Sequence, residues 1–354
     1  MKRDNDKLSF ASDNHAPIAP KILQAIIEAN VGSAAAYGTD TLSAETRKLF
    51  KLAFGPQARA QWVFNGTAAN VLALKTLLEP WHAVICAKSS HLNLDECAAP
   101  EAVGGIKLIP VESPDGKLSP HQIREEIVRR GDQHFAQPYV VSITQPTEWG
   151  TLYSLEELEE LRDLCQELKL KLHIDGARFS VAAAKLNVDF ETIAQSSGAA
   201  AISFGGTKNG LLGAEAVIFF DKSLEERFRY LRKQMMQLPS KTRFLAAQFK
   251  VFLEGDYWRE LASIGIDLAN HLSEQSRQIP GVEIIQKTQA NSVFARIPKH
   301  WNKTLRESAF FYVWEESSNT VRWMFSFDHE INDVNEFLET LRQLSRDDQC
   351  SHSK

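Results

Sequence analysis

The chain has 354 residues and a mass of 39.8 kDa, with 44% hydrophobic and 24% charged residues. This composition is typical of a globular protein, and the length suits one large domain and a smaller one. The net charge of -5 lacks the basic excess of a nucleic-acid surface, and no apolar stretch is long enough for a membrane helix.

The polar start MKRDNDKLSF lacks the apolar core of a secretory signal. None of the cysteines forms a CxxC pair, which argues against a zinc or redox centre. The four cysteines are Cys86, Cys97, Cys165 and Cys350. We therefore expect a cytoplasmic protein with free thiols and with neither nucleic-acid nor membrane partners.

Residues 1–58 precede the first apolar run and are predicted to form an N-terminal arm. Between about residues 60 and 220, apolar runs rich in β-branched residues alternate with amphipathic stretches. The runs are QWVF (61–64), AVICA (83–87), KLIPV (107–111), YVVSIT (139–144), KLHID (171–175), AISF (201–204) and EAVIFF (215–220). This alternation predicts an α/β fold with a mostly parallel, mixed sheet, crossed by helices such as 119–130 and 154–170.

The pattern changes after about residue 222. Two helical stretches, LEERFRYLRKQMM and TRFLAAQFKVFLEG, are followed by short strands and a final helix near 332–345. The strands are VEIIQ (282–286), SVFARI (292–297), FFYVW (310–314) and VRWMFSF (321–327). We predict a large domain over residues 59–250 and a small C-terminal α+β domain over residues 251–354.

In an open parallel sheet, ligands bind at the carboxyl ends of the strands. The run QWVF leads into Asn65-Gly66-Thr67 and then into an apolar helix. Gly66 permits close approach to the backbone, and Thr67 adds a hydroxyl and an amide at the helix start, which suits a phosphate monoester. A simple helix N-cap explains the same residues, and neither a Walker loop nor GxGxxG is present.

Polar groups also follow two later runs. KLHID ends in Asp175 and continues to Arg178, so a rigid strand delivers a carboxylate with His173 beside it. AISF leads into glycines and Lys208, a candidate Schiff-base former. Taken alone, the aspartate is explained equally by a turn and the lysine by a solvated surface position.

Together these three features meet the requirements of pyridoxal 5'-phosphate (PLP). The helix start anchors the phosphate, the lysine binds the aldehyde, and the carboxylate keeps the pyridine nitrogen protonated so that the ring accepts electrons. The conjunction is more specific than any one of its parts, and it predicts PLP as the cofactor.

The chain resembles the threonine aldolase family, most closely its low-specificity L-threonine aldolases, within the aspartate-aminotransferase-like fold of PLP enzymes. The resemblance covers nearly the whole chain and lies in FASDN (10–14), AYGTD (36–40), FNGTAAN (64–70), HLNLDECAAP (91–100), LHIDGARF (172–179) and SFGGTKNG (203–210). It implies a PLP-dependent aldolase that cleaves L-threonine, L-allo-threonine and related β-hydroxy-α-amino acids to glycine and an aldehyde, through a quinonoid.

The resemblance also implies roles for individual residues. Those of the cofactor site are Lys208 (Schiff base), Asp175 (pyridine nitrogen), Arg178 (near the cofactor hydroxyl), Gly66 and Thr67 (phosphate) and His91 (stacked on the ring). Those of the substrate site are His134 (near the substrate hydroxyl) and Ser12 and Arg322 (substrate carboxylate). His91 and His134 would serve as proton acceptors, with Lys208 and Asp175 as the other catalytic residues.

Ala68 and Trp149 depart from the family pattern. Ala68 replaces a polar phosphate contact of many relatives, and Trp149 is expected to reshape the substrate entrance. The family further implies a homo-oligomer, a dimer of dimers, with shared active sites, in which Tyr37 and Arg243 are candidates for contacts from a neighbouring subunit.

Other interpretations remain open. A PLP-dependent β-eliminating lyase or an aminotransferase shares the cofactor apparatus, and a non-catalytic PLP-binding protein is a further alternative. A metal site at His91, His173 and Asp175 leaves the glycine-flanked Lys208 unexplained, so no metal is predicted.

Overall fold

The computed structural model describes residues 8–352. The described residues form thirteen strands: β1 (Leu8–Ser9), β2 (Arg59–Val63), β3 (His82–Ala87), β4 (Lys107–Val111), β5 (Gln137–Thr144), β6 (Lys171–Gly176), β7 (Ala201–Gly205), β8 (Glu215–Phe219), β9 (Glu283–Ile284), β10 (Ser292–Arg296), β11 (Ala309–Phe310), β12 (Tyr312–Glu315) and β13 (Thr320–Met324).

They also form fourteen α-helices: α1 (Pro20–Glu28), α2 (Thr41–Phe54), α3 (Gly66–Leu77), α4 (His91–Leu94), α5 (Ala99–Ala102), α6 (Pro120–Glu125), α7 (Leu155–Glu167), α8 (Phe179–Leu186), α9 (Phe190–Ser197), α10 (Lys222–Gln234), α11 (Arg243–Leu253), α12 (Tyr257–Ser276), α13 (Trp301–Ser308) and α14 (Ile331–His352). Across residues 8–352, no helix has both the length and the apolar character to cross a membrane.

The described chain divides into two compact units. The larger unit contains Ile18–Glu148 and Leu152–Arg259, and the smaller unit contains residues 8–17, Trp149–Thr151 and residues 260–352. The stretch expected to be an arm is therefore divided, with residues up to 17 in the smaller unit and residues 18–58 in the larger. The sequence-based domain boundaries at residues 58 and 250 stay a prediction.

The larger unit is built around a seven-stranded sheet in the order β2-β8-β7-β6-β5-β3-β4. Strand β8 is antiparallel to both of its neighbours, and the other described pairings are parallel. The predicted α/β fold with a mostly parallel, mixed sheet is confirmed. The unbroken apolar runs reflect burial on both faces, because helices cover the sheet on each side.

The larger unit's core includes a cluster of phenylalanines beside the sheet. Phe54 lies 5.1 Å from Phe204 of β7 and 5.0 Å from Phe190 of α9, measured between ring centroids. Stacked and edge-on ring pairs of this kind add to the free energy gained by burying their area. The packing holds the end of β7, and the turn after it, against the helices.

The smaller unit contains an antiparallel sheet in the order β12-β13-β10-β9 and a short parallel pair, β1 with β11. Its core packs buried aromatic residues of the sheet and of α14, including Trp323 and Phe337 with ring centroids 5.3 Å apart. The strand predicted at 310–314 is two strands, β11 and β12, because the buried Phe311 turns inward between them. The helix predicted at 119–130 ends at Glu125.

Candidate active site

Helix α3 begins at the carboxyl end of β2 with a glycine. Asn65 caps it, and its Oδ1 accepts a hydrogen bond from the Ala68 N–H at 2.9 Å. A Cβ atom built on Gly66 would meet no other atom within 4 Å, so open space lies in front of this glycine. Asn65 caps the helix through the amide of Ala68, so the amides of Gly66 and Thr67 are not used by the cap. The same helix start can therefore be capped by Asn65 and still bind a phosphate.

Asp175 lies near the carboxyl end of β6 and is buried. Its Oδ2 accepts from Asn70 Nδ2 at 2.8 Å, and its Oδ1 accepts from the Ala177 N–H at 3.0 Å. Each oxygen of the carboxylate therefore accepts a hydrogen bond. Asn70, from the second turn of α3, therefore fixes the orientation of Asp175, a role that sequence reasoning missed.

The same amide joins Asp175 to a second buried carboxylate. Asn70 Nδ2 donates to Glu96 Oε1 at 2.9 Å, and that oxygen lies 3.1 Å from His91 Nδ1. Burial raises the pKa of Glu96, and the hydrogen bond that His91 makes to Glu96 raises the pKa of His91. Sequence reasoning did not assign Glu96 a role, since nothing in DECAAP indicates that it turns inward.

His91 begins α4, just beyond the carboxyl end of β3. Its backbone N–H donates to Glu148 Oε1 at 2.7 Å, and Thr144 Oγ1 donates to the same oxygen at 2.8 Å. Burial raises the pKa of the Glu148 carboxyl. The imidazole is 34% exposed, so Nδ1 faces Glu96 while the rest of the ring borders accessible space.

His91, Glu96 and Asp175 offer potential ligand atoms within 4.8 Å of one another. The Nδ2 amide group of Asn70 donates to both carboxylates, and His91 Nδ1 contacts Glu96. These contacts link the three side chains and Asn70 to one another without a cation. The cluster is better described as a hydrogen-bonded chain from His91 to Asp175.

Lys208 lies in a tight turn after β7. A Cβ atom on Gly205 would be 2.2 Å from the Ala177 carbonyl oxygen, and one on Gly206 would be 2.2 Å from that of Ala214. Asn209 Nδ2 donates to the carbonyls of Gly205 at 2.9 Å and Ala177 at 3.1 Å. The glycines are therefore required by close backbone packing, which holds the half-buried Lys208 beside the end of β6.

His173 lies two residues before Asp175 and is completely buried. Its Nδ1 is 2.9 Å from Ser142 Oγ and its Nε2 is 3.0 Å from Ser203 Oγ. Burial lowers its pKa to about 4, so the ring is neutral at physiological pH. His173 therefore joins β5, β6 and β7 beneath the site. Arg178 stands immediately before α8, three residues beyond Asp175, at the same edge.

The structure separates His134 from His91 within one chain. His134 is exposed in the loop before β5, where its N–H donates to Asp132 Oδ1 at 2.9 Å. That loop precedes Gln137, whereas His91 follows the carboxyl end of the parallel strand β3. The eight residues of β5 span about 23 Å, so His134 and His91 of one chain lie at opposite ends of these parallel strands, and the role of His134 stays a prediction.

Ser12 and Arg322 both belong to the smaller unit. Ser12 Oγ accepts from the Asn14 N–H at 3.2 Å, and Arg322 Nη2 donates to the Ala11 carbonyl at 2.9 Å. The guanidinium of Arg322 also lies 4.7 Å from the ring centroid of Trp314. The smaller unit therefore brings Arg322 next to the segment that contains Ser12.

The remaining candidates have contacts inside their own units. Trp149 packs in the smaller unit against Phe294 and Trp314, with centroids 5.3 and 5.9 Å away. In the larger unit, Arg243 Nη1 donates to the Gly32 carbonyl at 3.0 Å, and Tyr37 is exposed with a φ of 58°. The Arg243 side chain thus binds a loop of its own chain.

The fold and the groups at the carboxyl edge define the class of protein, an α/β enzyme with the fold of type I PLP-dependent enzymes. A solved structure of threonine aldolase from Leishmania major has a TM-score of 0.90, is 28% identical, and is matched over 96% of this chain and 99% of that one. The model of the beta-eliminating lyase family matches residues 9–299, and the chain belongs to this family.

Two relatives are similar over almost their full length. A low specificity L-threonine aldolase of Pseudomonas aeruginosa is 39% identical over 334 residues, 94% of this chain and 96% of the relative. Another of that name, from a further Pseudomonas strain, is 40% identical over 336 residues, 95% of this chain and 97% of the relative. The resemblance to the threonine aldolase family is confirmed.

Proposed function

We propose that this protein is a PLP-dependent lyase that cleaves L-threonine and L-allo-threonine to glycine and acetaldehyde. The proposal depends on one observation: Lys208, Asp175, His91 and the start of α3 all lie at the same edge of the sheet. The residues suit the cofactor, since open space lies before Gly66 and the buried carboxylate of Asp175 lies at the carboxyl end of β6 in the same sheet.

The larger unit's residues would hold PLP by complementary charge. The amides of Gly66 and Thr67 bind the phosphate, Lys208 binds the aldehyde, and Asp175 pairs with the ring nitrogen. Arg178, at the same edge, supplies a positive group near the cofactor's hydroxyl. When bound, the cofactor supplies an electron sink for the cleavage of the Cα–Cβ bond.

His91 would take the proton from the substrate's β-hydroxyl. Its Nδ1 lies 3.1 Å from the Glu96 carboxylate, so a neutral His91 carries its proton on Nδ1 and leaves Nε2 as an acceptor. Glu96 raises the pKa of His91, which makes it a stronger base than an isolated imidazole. The backbone contact with Glu148 fixes the start of α4 and thereby the ring.

Ser12 and Arg322 would bind the substrate carboxylate. Arg322 suits a planar carboxylate because its guanidinium offers parallel N–H donors. Its contacts with the Ala11 carbonyl and the Trp314 ring restrict its orientation within the smaller unit. Because the carboxylate, the amine and the β-hydroxyl of the substrate are all held, we expect only L-amino acids to react.

We also propose a cytoplasmic homo-oligomer with shared active sites. Segments 31–37 and 236–243 of the larger unit are joined by the contacts of Tyr37 and Arg243, and they expose apolar side chains. Val31 is 76% exposed, Tyr37 52% and Met236 83%. Such a cluster is typical of a protein interface. A second subunit would also allow His134 to approach a site that it does not reach in its own chain.

The proposal is tested by supplying the purified protein with PLP and each of L-threonine, L-allo-threonine and D-threonine. Acetaldehyde is followed with a coupled alcohol dehydrogenase. Release from both L-substrates and none from D-threonine supports the proposal. Ammonia with a keto acid would identify a β-eliminating lyase, amino-group transfer to a keto acid would identify an aminotransferase, and bound PLP with no reaction would identify a non-catalytic protein.

A further inference from the structure

Strand β8 contains a buried charged residue that the proposed mechanism does not use. Glu215 begins this otherwise apolar strand and is 6% exposed. Its strand neighbours are Val63 of β2 and Gly205 of β7, neither of which offers a charge. A buried carboxylate is costly unless it receives hydrogen bonds or pairs with a cation. The hydrogen-bond partners of Glu215 therefore explain how its carboxylate can be buried.

The partners of Glu215 lie in the turn that carries Lys208. The Gly206 N–H donates to Glu215 Oε2 at 2.8 Å, and the Thr207 N–H lies 3.4 Å from Oε1. These two residues immediately precede Lys208. The charged group that acts most strongly on the Glu215 carboxyl is Lys208 itself, which favours the ionised form.

We propose that Glu215 is a positioning residue for Lys208: it fixes the lysine's turn through two backbone N–H groups and places a buried negative charge close to the lysine's amine. This inference rests on the proposed role of Lys208 in binding the cofactor. Gly205 and Gly206 allow the turn to pack closely against the backbone of Ala177 and Ala214. Glu215 adds hydrogen bonds and a negative charge to the same turn.

A negative charge near Lys208 stabilises its ammonium form. Burial raises the pKa of Glu215 to about 7, so the carboxylate is largely ionised at the alkaline pH where lysines lose their protons. Glu215 therefore raises the pKa of Lys208 relative to the same site without this charge. Through this effect it controls the fraction of the amine that is free to react with an aldehyde at a given pH.

The test measures the Lys208 amine directly in the full-length chain without PLP, so it does not depend on whether the protein is an aldolase. Trace labelling with acetic anhydride at several pH values, followed by mass spectrometry of the Lys208 peptide, gives the pKa of the amine. Glu215→Gln preserves the shape and an oxygen acceptor for the turn. We expect its Lys208 pKa to fall by at least about 0.5 unit, so that labelling at a fixed pH near 8 becomes about threefold faster.

Two variants separate charge from structure. Glu215→Asp keeps the charge. The Lys208 pKa in this variant should therefore lie closer to the wild-type value than the Lys208 pKa in Glu215→Gln does. The control is Asp189→Asn, because Asp189 Oδ1 also accepts a hydrogen bond from a backbone N–H, that of Thr192 at 2.7 Å. This substitution should leave the Lys208 pKa unchanged. An unchanged Lys208 pKa in folded Glu215→Gln, or equal shifts in Glu215→Asp and Glu215→Gln, would overturn the proposal.

The reciprocal variant covers the case in which Glu215→Gln does not fold. Lys208→Met removes the ammonium, so the pKa of Glu215 should rise, because the coupling between two sites is mutual. Infrared difference spectra that follow the C=O band of the protonated carboxyl give this value, with Lys208→Met/Glu215→Asp used to assign the band. A Glu215 pKa that is the same in the wild type and in Lys208→Met would overturn the proposal.

Discussion

Glu96→Gln tests the proposed proton acceptor most sharply, because it removes a charge and keeps the shape. In the wild type, Glu96 Oε1 receives the Asn70 amide at 2.9 Å and lies 3.1 Å from His91 Nδ1. A glutamine can present its carbonyl oxygen to both donors. The substitution therefore isolates the electrostatic effect on His91.

The expected magnitude follows from the geometry of the pair. An opposite charge at such a distance changes a pKa by about 1–3 units. Because the His91 side chain is 34% exposed and partly screened by solvent, we expect the loss of this charge to have a smaller effect than it would in a fully buried pair. The pKa of His91 is raised in the wild type, so it should fall in Glu96→Gln.

The pH dependence of kcat/KM for L-allo-threonine reports this change. A proton acceptor works only when neutral, so activity should rise with pH as His91 loses its proton. In Glu96→Gln the acidic limb should move to lower pH, and the plateau should fall because the imidazole is a weaker base. The control Glu79→Gln removes a surface carboxylate, 2.9 Å from Arg227, and should leave the limb in place. An unmoved limb in folded Glu96→Gln would refute the role of the pair.

Four further substitutions test the cofactor site and the turn that carries Lys208. Lys208→Ala should abolish turnover and should yield no PLP-labelled peptide after borohydride reduction; a label on another lysine in the wild type would reassign the role. Asp175→Asn should retain some PLP binding but lose about 100-fold or more in kcat, since the charge that favours a protonated ring nitrogen is gone; near-normal kcat would contradict this. Gly205→Ala should lower the free energy of unfolding by roughly 1–3 kcal/mol or more, because its Cβ would lie 2.2 Å from the Ala177 carbonyl oxygen. The melting temperature should therefore fall even without PLP. Gly66→Ala, whose Cβ meets no atom, should melt normally but bind PLP more weakly; equal effects of the two alanines on melting would contradict the steric account.

Local patterns account for much of what the sequence predicted correctly. The run KLIPV coincides with β4, and Ser154 caps α7 together with Glu157 as its spacing indicates. Apolar runs and capping residues act over a few neighbouring positions, so they can be read without knowledge of the fold. The placement of Asp175 and Lys208 at one edge follows from the same patterns, because both follow strands of a parallel sheet.

Properties set by tertiary pairing could not be predicted in the same way. An apolar run has no direction, so the antiparallel orientation of β8 was not evident from EAVIFF. The contacts of Glu96 with Asn70 and His91 depend on how α3 packs beside the loop after β3. Glu215 did leave a signal, a charged residue at the head of a buried strand, which required a partner.

His134 illustrates the limit of transfer by motif. The match of DQHFAQP to a family histidine identifies a residue but does not say at which end of β5 it lies. The structure places it before the strand, away from His91 of the same chain. Whether a second subunit supplies His134 is addressed by mixing inactive Lys208→Ala chains with His134→Phe chains. Hybrid oligomers that regain the wild-type ratio of L-allo-threonine to L-threonine activity support a shared site, and hybrids that keep the ratio of His134→Phe argue against one.

The most direct test of the central claim is a 13C NMR spectrum of the reaction with uniformly 13C-labelled L-threonine. Breaking the Cα–Cβ bond removes the one-bond coupling between these two carbons. The account predicts that glycine and acetaldehyde appear in equal amounts with that coupling lost, and that Lys208→Ala yields neither product. The appearance of a four-carbon keto acid that retains the Cα–Cβ coupling would contradict it.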